Sequence, residues 1–130
     1  MNRKLLFLGI SLSLIAVVAT AVTLLSTNVS ANNVGAYSNL QIALQISFFH
    51  AVVLLFLAQV KRKYTDRDLV SVGYIFMIST LVLLLPACIG VFIGDSVAFE
   101  FASITGIIGL VSGWIALTKS FYDVHFPKRM

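Results

Sequence analysis

His50 is the side chain in this sequence best suited to chemistry. It sits in the apolar run from about Leu40 to Val60, with Ser47 one helical turn before it and Gln45 and Gln41 further back. An imidazole at membrane depth can relay a proton, ligate haem iron or contact a quinone, since it carries one donor and one acceptor nitrogen. The blander role is a neutral ring hydrogen-bonded between helices to Ser, Thr or a backbone carbonyl. The chain has 2 histidines, and the other, His125, falls in a basic tail beyond the apolar runs. A bis-histidine haem therefore needs a partner chain, and the ligands for a three-residue metal site are missing. The structural role is expected, no cofactor is predicted, and His50 is retained as the candidate cofactor ligand.

Other polar residues point to weaker chemistry. Asp95 and Glu100 bracket a short connection, where acidic groups and Ser96 suit the start of a helix. Asp66 and Asp68 flank Arg67 and read as solvated charges or as a helix start. Cys88, the single cysteine, lies in an apolar run, so the chain holds neither a disulfide framework nor a thiolate metal set. Asn28-Val29-Ser30 matches a glycosylation sequon in a short membrane-adjacent loop, a poor acceptor. No catalytic constellation emerges, and the chain is expected not to be an enzyme.

The elements that must hold these residues are legible from composition. With 59% hydrophobic and 11% charged residues, a soluble 130-residue domain would lack polar side chains to cover its surface. A bilayer core needs roughly 20 apolar residues per helix, and four runs meet that length. The expected fold is an all-α membrane protein, a bundle of four transmembrane helices at about 5–25, 40–60, 69–93 and 97–120 in a single integral membrane domain over 1–130. The first run resembles a signal peptide in its basic start and small residues, but it exceeds the usual core of about 7–15 residues and is expected to stay attached. Pro86 predicts a kink near Val82–Pro86.

All 9 Lys and Arg residues fall on alternate connections. Arg3 and Lys4 precede the first run, Lys61, Arg62, Lys63 and Arg67 join the second to the third, and Lys119, Lys128 and Arg129 follow the fourth. Ser26–Asn39 and Gly94–Val97 carry none. The positive-inside rule then places both termini in the cytoplasm, in a multi-pass inner-membrane protein. The net charge of +4 is read as attraction to anionic headgroups, not to nucleic acid. Trp114, Tyr64 and Tyr122 are expected at the cytoplasmic boundary and Tyr37 at the outer one.

Helices in lipid associate through close backbone contact, because no water is expelled between them. The fourth run places Ala102, Gly106, Gly109, Gly113, Ala116 and Ser120 at alternating steps of four and three, one face of a helix. Gly9, Ser13, Ala16, Thr20 and Thr23 repeat the device in the first run. Both stripes are expected to face helices at short range, each other or those of a neighbour. Gly109–Gly113 and Gly90–Gly94 match GxxxG, too common a motif to establish a dimer.

Phe101-Ala102-Ser103-Ile104-Thr105-Gly106, continuing to Ser112-Gly113-Trp114, resembles the last helix of a family of small four-helix membrane proteins containing bacterial YgdD and mitochondrial transmembrane relatives. Leu44-Gln45-Ile46-Ser47-Phe48-Phe49-His50 is similar to that family's second helix, where a histidine also follows an aromatic residue. Ala21-Val22-Thr23-Leu24-Leu25-Ser26 stands where the family carries Gly-Ala-Phe-Gly-Ala-His, and Leu85-Pro86-Ala87-Cys88-Ile89 where it carries Ser-Gly-Ser-Leu-Tyr. The resemblance implies four spans and brings no assigned activity.

The expected function is that of a non-enzymatic accessory subunit packed in the bilayer against other membrane subunits, such as those of a respiratory or other oxidoreductase complex. A small homo-oligomeric transporter or channel is the alternative, weakened because no Asp or Glu lies deep in a span. A haem- or quinone-binding anchor using His50 is the third.

Overall fold

The computed structural model describes residues 2–25, 34–60, 66–93 and 97–125. Every regular element among them is a helix: α1 (Arg3–Leu25), α2 (Val34–Gln59), α3 (Asp66–Ile93) and α4 (Val97–His125). At 1.5 Å per residue they are roughly 35 to 44 Å long, more than the roughly 30 Å of a hydrocarbon core. Each contains an apolar stretch of 20 to 27 residues, long and apolar enough to cross a membrane.

The helices outrun the apolar runs that predict them. α2 starts at Val34, although Gly35, Ser38 and Asn39 read as loop, and α4 continues to His125, past the expected end at Ser120. A helix satisfies its own backbone in water or lipid, so it need not stop where hydropathy falls. α3 begins at Asp66 and holds Asp68 in its first turn. Asn2 caps α1: its side-chain oxygen accepts from the backbone N–H groups of Lys4 at 3.1 Å and Leu5 at 3.3 Å. α3 runs through Pro86 as one helix. The expectations at the sequon, Tyr64, Lys61–Lys63, Asp95, Ser96, Gly94, Lys128 and Arg129, and for the side chains of Thr23, Tyr37 and His125, lie outside the described residues.

α1 pairs with α2, α3 with α4, and α3 also packs on α1 and α2. The backbone N–H of Asn2 donates to the Ala58 carbonyl at 2.9 Å, which sets the start of α1 beside the end of α2. Gly73, early in α3, lets the Leu5 side chain seat directly on its backbone. Arg3, Lys4 and Lys119 therefore share one end of the bundle. α1, α2 and α3 form the centre, with Leu5, Leu12, Leu54, Phe76 and Leu84 fully buried, and α4 leans on α3 at the side.

Outside that core the surface is apolar. Phe7, Leu14, Val52, Phe56, Ile78, Phe101, Ile108 and Ile115 are all exposed. A water-soluble bundle would put polar groups there; helices that are apolar all round suit lipid.

Candidate functional site

His50 lies at the centre of the contact between α2, α3 and α4, 5% exposed. Its Nδ1 is 2.8 Å from the Ile46 carbonyl one turn earlier. Its Nε2 accepts from Trp114 Nε1 of α4 at 3.2 Å. An indole can only donate, so Nε2 must offer its lone pair and Nδ1 must carry the proton. The two partners together specify a neutral imidazole in one tautomer. For Nε2 to bind iron or take up a proton, the Trp114 bond would first have to break.

Aromatic rings pack against this pair. Phe76 of α3, fully buried, has its ring centroid 5.1 Å from that of His50 and 5.4 Å from that of Trp114. Phe49 meets His50 edge-on at 5.3 Å and stacks on Trp114 at 6.2 Å. These separations fall within the range where aromatic pairs attract beyond mere burial. Ser47 does not join the cluster; its hydroxyl donates to the Ala43 carbonyl at 2.7 Å. Gln41 and Gln45 are exposed on another face.

The structure gives Trp114 an interhelical partner, while its ring stays 37% exposed. It lies inside the apolar stretch Val97–Asp123 and across from mid-α2. Its partner is 64 residues away in sequence.

A glycine seam sets α4 against α3. A Cβ on Gly106 would stand 3.0 Å from both the Leu83 backbone nitrogen and the Ser79 carbonyl oxygen. On Gly109 it would collide with the Ser79 side chain, and on Gly113 it would stand 2.7 Å from the Phe76 ring. Ala102, Ala116 and Ser120 continue the stripe, half-buried. The α4 stripe thus faces α3 of the same chain, while on α1 Gly9 faces Leu55 of α2. Ala16 is fully buried, and Ser13 and Thr20 return their hydroxyls to the carbonyls of Gly9 and Ala16. The two stripes do not face each other. Gly73 and Asn2 were missed from sequence; the first is a lone glycine without a repeat, the second a cap placed before a basic pair.

The His50–Trp114 bridge divides the groove between α2 and α4. Towards the basic end is a cleft of about 360 Å³ lined by Val52, Phe56, Leu57, Trp114, Leu117 and Phe121. Towards the opposite end is one of about 390 Å³ whose lining includes Asn39, Ile46, Leu83, Pro86, Glu100 and Ile107. Among the described residues, no three His, Cys, Asp or Glu side chains converge to hold a metal ion. No family model, curated protein or solved structure matches this chain.

The bridge makes a measurable coupling. Trp114→Phe keeps a ring but removes the donor, and His50→Phe removes the acceptor. Interhelical hydrogen bonds in lipid average about 0.6 kcal/mol and reach about 1.7. A double-mutant cycle on unfolding in mixed micelles should return a coupling of about 1 kcal/mol, whereas strictly additive effects would mean that the bond contributes nothing.

Proposed function

We propose that this chain is a non-enzymatic, multi-pass membrane protein, both termini cytoplasmic, that serves as an accessory subunit against a larger inner-membrane assembly. The observation that carries the reading is the outward face of α4. With its glycine face spent on α3, α4 still presents a second line of small residues, Ala98, Thr105 and Ser112, at heptad steps and exposed. Phe101, Ile108 and Ile115 flank that line. The Thr105 and Ser112 hydroxyls donate to the Phe101 and Ile108 carbonyls at 2.8 and 2.9 Å, so no polar group there is left for lipid to solvate. A small-residue line lets a further helix approach closely, the main source of helix affinity in a bilayer. The charge asymmetry of the connections supports the orientation, and the second- and fourth-helix motifs support kinship with the YgdD-like family.

Affinity purification in mild detergent is expected to bring down larger membrane subunits in fixed ratio. Thr105→Leu with Ser112→Leu should lose them while the unfolding midpoint stays within about 0.5 kcal/mol of the parent, as for exposed positions generally. Recovery of a homodimer alone would sink the proposal.

A further inference from the structure

The cleft between α2 and α4 at the end opposite the basic residues has the build of an amphiphile site. On α2 its lining runs from Asn39 to Ile46 and on α4 from Phe99 to Ile107, with Leu83, Pro86 and Ala87 of α3 behind. That is roughly 10 to 12 Å along the helix axes. Polar groups sit at the mouth: the Asn39 amide, the Glu100 carboxylate and the Ser103 hydroxyl. Ile42, Ala43, Ile46, Ile104 and Ile107 line the rest, and the His50–Trp114 bridge lies one turn beyond Ile46. The volume of about 390 Å³ falls within the roughly 300–1,000 Å³ of small-molecule sites.

Charge selects the occupant. No Lys or Arg occurs from Leu5 to Val60 or from Asp68 to Thr118. The first cation along α4, Lys119, is roughly 28 Å from Glu100 at 1.5 Å per residue. Glu100 therefore stands at an apolar mouth with no cation of its own chain along that wall. A phosphate-bearing headgroup would meet a carboxylate and no counter-charge. A protonated amine would supply the missing charge and its alkyl chain the missing apolar contact. We propose that this cleft binds a single-chain amphiphile with a protonated amine head, the ammonium at Glu100 and the chain directed towards the His50–Trp114 bridge. The inference rests on the chain lying in a bilayer and is independent of any partner subunit.

Trp114 is the single tryptophan and lies about two turns beyond Ile107, the innermost α4 residue of the cleft, so a bromine at the inner end of a bound chain comes near it. The chain is reconstituted in phosphatidylcholine nanodiscs and titrated with decylammonium bearing a terminal bromine, a short-range quencher of indole emission. Saturable quenching is expected, against only a gradual, unsaturating loss with the equally brominated decanol. Glu100→Gln, a change at an exposed side chain, should weaken the amine by roughly fivefold and leave the alcohol unaffected. Ala87→Phe, which fills the cleft, should abolish saturation. Equal behaviour of amine and alcohol, or unchanged affinity in Glu100→Gln, would overturn the proposal. Displacement of the amine by phosphatidylethanolamine added to the nanodisc would also overturn it, in favour of a bilayer lipid as occupant.

Discussion

Replacing Gly113 with Leu is expected to pull α4 away from α3 and cost about 3 kcal/mol or more of stability. A Cβ alone at this position would stand 2.7 Å from the Phe76 ring and 3.2 Å from Ile75 Cγ2. Phe76 is fully buried against His50 and Trp114, so its ring can retreat only by displacing them. Overpacking a filled interior typically costs about 1–3 kcal/mol, and Leu adds further atoms beyond the one that already collides. Gly106→Leu should behave alike, because the atoms facing it are α3 backbone. Val111→Leu, on the exposed side of the same helix, should stay within about 0.5 kcal/mol. Unfolding in increasing mole fraction of dodecyl sulfate, read by Trp114 emission, measures all three. Equal losses for Val111→Leu and Gly113→Leu would dismiss the seam as the basis of α3–α4 packing.

Phe76→Ala is the second large effect, expected at about 2 kcal/mol. In a water-soluble core the same truncation costs about 3–5 kcal/mol, part of which is the lost transfer of the ring out of water. Here the unfolded helices remain in lipid, so mainly the cavity and lost-contact share survives. A second substitution tests the cause. Gly113→Ala alone should destabilise by about 1–2 kcal/mol, since its methyl meets the ring. Added to Phe76→Ala, it should be neutral or mildly stabilising, because the methyl enters the vacated space and Ala is the better helix former. A penalty for Gly113→Ala that persists without the ring would mean that something other than Phe76 requires glycine there.

The spacing of the α4 stripe was legible because close helix approach demands small residues on one face, and Gly106, Gly109 and Gly113 advertise it. Its partner was not. A glycine states that a backbone comes near without stating which one, and α3 met the α4 stripe while α2 met Gly9 of α1. His50 was visible as an ionisable group in an apolar run. The indole that occupies its Nε2 was not, since Trp114 carries no local sign that its N–H meets another helix. Helix starts escaped for a related reason: Val34–Asn39 is too polar for a hydropathy window yet forms a helix on its own hydrogen bonds.

The sequence by itself determined the elements: four helices long and apolar enough to cross a membrane, with positive charge on alternate connections. Those properties are sums over single residues, each weighed against lipid or water independently of its neighbours, so no contact need be known. Tertiary structure alone decided that α4 sits to the side on α3, that Trp114 bridges to His50, and that the groove between α2 and α4 is split in two. Such choices are differences between competing pairings of similarly apolar helices, settled by shape at a few glycines and rings.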